Sequence, residues 1–174
     1  MKKSALTAPL IALGLLASPP AMPASLDIEI ELPQIGAADF RRPYVAVWLE
    51  RPDNSVAANL AVWYDAKMRN DEGTKWLKDM RQWWRRTGRE LVMPIDGVTS
   101  ATRAPGAHTL NFTSGQHPLG ELPAGEYRLM VEAAREHGGR ELLSLPIQWP
   151  PTGAVGNAIT GKHELGKVSV QLKP

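Results

Sequence analysis

Residues Asp96 to Arg103 read D-G-V-T-S-A-T-R. Thr99, Ser100 and Thr102 place three hydroxyls within four positions, closed by a carboxylate on one side and a guanidinium on the other. Side chains of these types have two uses. Asp, Ser and Thr bond to nearby backbone groups and so fix a turn. A hydroxyl left free of such bonds is also a nucleophile that another enzyme can modify. Under the turn reading, Asp96 caps the loop and Arg103 pairs with an acid such as Glu132.

The rest of the chain offers less chemistry. Its four histidines are His108, His117, His137 and His163. None is paired at helical spacing, and H-E-x-x-H does not occur. Glu136, His137 and Glu141 surround a hairpin tip and read as a solvated turn, because a full metal-ligand set is missing. There is no G-x-S-x-G, no P-loop and no G-x-G-x-x-G. No catalytic residue is assigned, and no metal is expected. M-R-Q-W-W-R-R, residues 80–86, mixes bases with aromatics as single-strand nucleic-acid surfaces do.

The order D-G-x-T-S-A-T resembles the acceptor motif of FMN-binding domains modified by ApbE-type flavin transferases. The resemblance implies that Thr102 is the attachment residue, joined to FMN through a phosphoester with FAD as donor. Asp96, Gly97, Thr99, Ser100 and Ala101 then form the recognition element. The residue types suit that chemistry. Gly97 permits unusual backbone angles, Ala101 leaves room, and Arg103 offers a fork of donors to a phosphate. Trp83 or Trp84, just upstream, would supply a stacking face for the flavin ring.

A second resemblance covers most of residues 26–172. The blocks P-Y-V-A-V-W-L-E, K-W-L-K-D-M-R-Q-W-W, D-G-V-T-S-A-T-R-A-P-G and L-P-A-G-E-Y-R-L-M-V-E-A-A-R-E-H-G-G-R-E, in that order, look like domain-of-unknown-function family 2271. That likeness implies an exported β-rich domain. It also implies the company of flavin transferases and PepSY-type membrane proteins, hence extracytoplasmic electron transfer.

Charge and targeting agree with export. Lys2 and Lys3 precede an apolar run, Leu10 to Ala17, and small residues follow up to Ala24. This is the pattern of a secretory signal peptide, 1–24, and is too short for a membrane span. The formal net charge is +2, and loss of residues 1–24 removes Lys2, Lys3 and no acid, leaving zero. A neutral exported chain is a poor nucleic-acid binder. With no Cys in 174 residues, disulfides, thiolate metal sites and haem attachment are excluded.

Positioning the hydroxyl loop falls to a set of alternating segments. Leu26, Ile28, Ile30 and Leu32 alternate with Asp27, Glu29 and Glu31, as a half-buried strand does. P-Y-V-A-V-W-L-E and S-V-A-A-N-L-A-V-W-Y-D flank R-P-D-N and form a hairpin. G-E-Y-R-L-M-V-E-A-A-R-E and R-E-L-L-S-L-P-I-Q-W flank H-G-G and form a second. Residues 106–114 and 165–173 add two more strands, and 150–164 read as a long loop. Between the first hairpin and the loop, Trp76, Leu77, Met80, Trp83 and Trp84 make one apolar stripe. They predict a single amphipathic helix over about 74–87, with Thr74 as its cap.

The sum is a mostly β chain. The signal peptide is followed by one domain, 25–174, an immunoglobulin-like antiparallel β-sandwich of about seven strands with one inserted helix. The expected function is that of an exported flavin-carrying redox partner. FMN is attached to Thr102 by a transferase, and electrons are relayed with a PepSY-type membrane protein. The alternative is a non-redox periplasmic binding module on the same fold.

Overall fold

The computed structural model describes residues 23–36 and 39–174. Residues 1–22, which hold nearly all of the expected signal peptide, lie outside the described residues. The rest contains nine strands among the described residues: β1 (Ser25–Leu32), β2 (Tyr44–Glu50), β3 (Val56–Trp63), β4 (Thr99–Ser100), β5 (Gly106–Thr113), β6 (Gly125–Ala134), β7 (Arg140–Trp149), β8 (Val155–Thr160) and β9 (Lys167–Lys173).

They form the expected sandwich. One sheet has the order β5-β1-β9-β8 and is antiparallel throughout. The other has the order β4-β3-β2-β6-β7, antiparallel except for the parallel pair β3–β4. Side chains of period two fill the space between the sheets. Leu26, Ile28 and Ile30 from one sheet pack with Val45, Val47, Leu129 and Val131 from the other, all without exposed surface. Both expected hairpins, β2–β3 and β6–β7, are present.

Two strands exceed the seven expected. β8 occupies part of the segment read as a loop. It pairs with β9 from Val155↔Leu172 to Thr160↔Lys167, yet is exposed along almost its whole length. A strand with no buried face has no apolar alternation to betray it. β4 is two residues long and lies within the hydroxyl segment itself.

The expected helix over 74–87 is present as two pieces. 3-10 turns run over Arg69–Asp79, kinked at Asn70 and Asp71 where φ is +53°, Met80 breaks the path at φ −77° and ψ 72°, and α1 follows over Arg81–Arg86. Thr74 donates its hydroxyl to the Asp71 carbonyl at 2.7 Å and caps nothing. Leu77, Met80 and Trp83 face the sheet and are buried, while Trp76 is turned out and 42% exposed.

These helical pieces cover the outer face of the five-stranded sheet. Leu77, Met80, Trp83 and Val98 pack there against Ala46, Trp48, Val62 and Met130 as a second core. Each large side chain so buried contributes about 1.5–3 kcal/mol. The sheet is thus dry on both faces at β2, which accounts for the near-continuous burial of that strand.

The second core also holds a carboxylate. Glu132, with no exposed surface, accepts from the Gln82 and Trp83 amides at 3.1 and 2.8 Å and from Arg140 at 2.6 Å. It satisfies orphan donors at the start of α1, where no local side chain does so. Glu132 is accordingly not the partner of Arg103 that the turn reading supposed.

Candidate functional site

The hydroxyl segment begins in a tight turn. The Ile95 carbonyl accepts from the Val98 and Thr99 amides at 3.3 and 2.9 Å. The Thr99 hydroxyl accepts from the Ile95 amide at 2.9 Å, so this oxygen is committed to the turn. Gly97 has φ +66°, and a Cβ there would lie 2.7 Å from the His117 ring. Asp96 contributes through its backbone: its carbonyl accepts from His117 Nε2 at 2.8 Å, which ties a neighbouring loop over the turn.

The chain then joins the sheet. The Val62 amide donates to the Val98 carbonyl at 2.9 Å, and the Tyr64 amide to the Ser100 carbonyl at 3.0 Å. Val98 is buried in the second core. Ser100 serves the sheet through its backbone, and Ala101 is exposed. Thr102 and Arg103 are both half-buried but in different surroundings.

Arg103 stacks on an aromatic. Its guanidinium carbon lies 4.2 Å from the Trp63 ring centroid, a cation–π contact. Burial pushes its pKa below the usual arginine range. His108 meets the same indole edge-on, with centroids 5.7 Å apart.

Thr102 lines a cleft of about 460 Å³, within the roughly 300–1,000 Å³ of small-molecule sites. Tyr44, Met68 and Trp76 form much of its apolar wall, and Ala134 to Glu136 close it at the end of β6. Tyr44 donates to the Gly73 carbonyl at 3.2 Å. Burial raises its pKa against the opposing backbone hydrogen bond of Asp65, and the charges of Asp65 and Glu136 raise it further, so the phenol stays protonated.

Charges of both signs ring the cleft. Lys75 pairs with Glu72 at 3.1 Å, and Arg41 with Asp39 at 3.3 Å. Arg135 is held by both oxygens of the buried Glu164, at 2.9 and 3.0 Å. Among the described residues, Arg42 makes no ion pair, and neither do Asp65, Asp79 and Glu136.

The structure corrects the expected stacking residues. Trp83 has no exposed surface, and its indole N–H donates to Asn59 at 2.9 Å. Trp84 packs half-buried on the second core and is not part of the cleft. Both were read from a stripe that serves packing. Arg103 likewise sits on Trp63 and does not line the cleft, where Arg42 is the unpaired cation. Sequence reasoning missed Arg42, Tyr44 and Met68, and placed Trp76 on the packing stripe.

The other clusters are accounted for structurally. His137 lies 3.7 Å from Asp39 on the surface. Glu141 accepts four backbone amides, from Lys162 to Leu165. Among the described residues no three metal-ligating side chains gather, and no helix is long and apolar enough to cross a membrane.

No curated protein and no solved structure matches this chain. The model of one family does, that of a predicted periplasmic protein, DUF2271, over residues 25–167. With most of its length matched, the chain belongs to the DUF2271 family of periplasmic proteins.

Proposed function

We propose that this periplasmic protein is the acceptor of a covalently attached FMN at Thr102 and, once modified, an electron carrier. The observation that carries this reading is that Thr102, alone among the three hydroxyl residues of the segment, lines the cleft. Thr99 is bonded into the turn, and Ser100 is held at the sheet edge.

Attachment joins the Thr102 oxygen to the FMN phosphorus. The P–O–P bond of FAD breaks, AMP leaves, and the hydroxyl proton passes to the transferase or to solvent. A flavin transferase with its divalent metal is the catalyst, and Thr102 supplies the nucleophile. The residues of the cleft fit the group. Apolar side chains offer a surface for a flat ring, and Arg42 offers charge to a phosphate or ribityl oxygen. Bound flavin supplies one- and two-electron chemistry, while the protein positions it and tunes its surroundings. A PepSY-type membrane protein is the electron donor or acceptor in this reading.

Intact mass tests it. The mature protein, coexpressed with its flavin transferase, gains the mass of FMN less water. Thr102→Ala loses that gain, while Thr99→Ala and Ser100→Ala retain it. An unmodified chain, in cells where a control acceptor is flavinylated, overturns the proposal.

A further inference from the structure

The chain has six Trp residues, and their exposure divides them. Trp48, Trp63 and Trp83 are wholly buried and Trp149 nearly so, while Trp84 packs half-buried on the second core. Trp76 is 42% exposed. An indole face left to water is unfavourable, so a well-built fold that keeps one invites a reason. Met68, at 38%, is another of the four large apolar side chains exposed among the described residues. Trp76 and Met68 line the same cleft, the one that Thr102 enters.

Trp76 is not exposed through looseness. Its neighbour Leu77 is buried against the sheet. Gly73, one turn earlier, packs so closely that a Cβ would collide with the Asp65 carbonyl. The Gly73 carbonyl is held by the Tyr44 hydroxyl. The wall is therefore pre-organised, and little conformational freedom is lost when a flat ring docks on it.

The geometry points to Trp76, with Met68 beside it, as the seat of the isoalloxazine ring of a flavin borne by Thr102. This inference rests on the proposed function and names the part of the cleft that receives the ring. Aromatic faces pack in offset stacks, and the Met thioether suits a ring edge. Trp63, the indole beside Arg103, is already covered by its guanidinium. A stacked indole also has an optical consequence. It donates an electron to the photoexcited flavin, the electron returns without emission, and fluorescence is quenched.

The test combines intact mass with flavin fluorescence on protein coexpressed with the transferase. Trp76→Ala, at an exposed position, folds, and its fluorescence per attached flavin, with loading read from the added mass, is severalfold higher. Trp76→Tyr, which keeps an electron-donating ring, restores most of the quenching, and Trp84→Ala leaves the signal unchanged. A flavinylated Trp76→Ala protein as dim as the parent overturns the assignment while leaving Thr102 as the acceptor. A chain without added mass removes the proposed function. In that case free FMN is titrated into the unmodified protein. Quenching that depends on Trp76 keeps the cleft as a flavin seat, and its absence overturns the inference.

Discussion

Thr102 and Arg103 are adjacent in the chain and serve opposite sides of the five-stranded sheet. Thr102 lines the cleft with Tyr44 and Ala134, which pack with the second core. Arg103 lies 4.2 Å over Trp63, a member of the core between the sheets. Stacking of one residue therefore fixes the direction of the next.

Arg103→Ala removes that anchor. The expected loss is about 1 kcal/mol, in the range of partly desolvated cation–π contacts. It is read as a lower urea midpoint with unchanged slope. Flavin attachment to Thr102 slows in the same variant, because the acceptor is no longer held. Arg103→Lys keeps part of the contact and falls between the two, and a wild-type rate in Arg103→Ala would show that the stack positions nothing.

Glu132 makes a stronger claim on stability. Glu132→Ala leaves Arg140 and the amides of Gln82 and Trp83 without their acceptor. Breaking such a buried arrangement costs about 3–5 kcal/mol. Denaturant unfolding should show a loss of that order, with the Glu132→Gln variant milder because one carbonyl still accepts. A loss near zero for Glu132→Ala would mean that α1 does not depend on this carboxylate.

Acid should loosen the loop before β9. Burial alone would raise the Glu141 pKa, but the amides of Lys162, Leu165, His163 and Glu164 together hold it below the usual range. A folded-state pKa below the unfolded one gives stability that is complete above about pH 4.3 and is lost as pH falls through the folded value. The stability of Glu141→Gln should therefore fall less steeply than that of the parent on acidification below that point. Parallel acid limbs in the two proteins would contradict the assignment.

Under the proposed function, the cleft acids set redox poise. Asp65, Asp79 and Glu136 line it without ion-pair partners among the described residues. Negative charge opposes the electrons that a bound flavin takes up. In the flavin-bearing protein, Asp65→Asn and Glu136→Gln should each raise the reduction potential by tens of millivolts, where about 30 mV is 1.4 kcal/mol for two electrons. Added salt should shrink the difference. Spectroelectrochemical titration reads both effects, and potentials unmoved by either substitution would place the flavin away from these acids.

Sequence pattern reached the sandwich because burial imposes period two. The alternation of Leu26, Ile28, Ile30 and Leu32 is matched by burial at each of those positions. It failed where burial was absent or doubled. β8 has no dry face and so no alternation. In β6, Met130 and Glu132 alternate with Leu129 and Val131, which face the core between the sheets, yet both are buried because the helical pieces cover their side. The unbroken apolar run V-A-V-W-L in β2 was the available sign of two-sided burial. Of the residues in the hydroxyl motif, Thr102 lines the cleft. The cleft facing it is assembled from residues far apart in the chain, and no short motif encodes that.

The two-residue strand β4 lies along the outer edge of β3, where the carbonyls of Val98, just before the strand, and Ser100, its second residue, accept the Val62 and Tyr64 amides. Those amides belong to a row that would otherwise stand open to any passing strand. The hydroxyl segment is therefore also a guard against self-association. Side-chain changes at Thr102 leave that guard in place, whereas deletion of the segment would expose a template for aggregation. The edge is covered by backbone groups alone, so the loop has this use whatever becomes of the Thr102 hydroxyl.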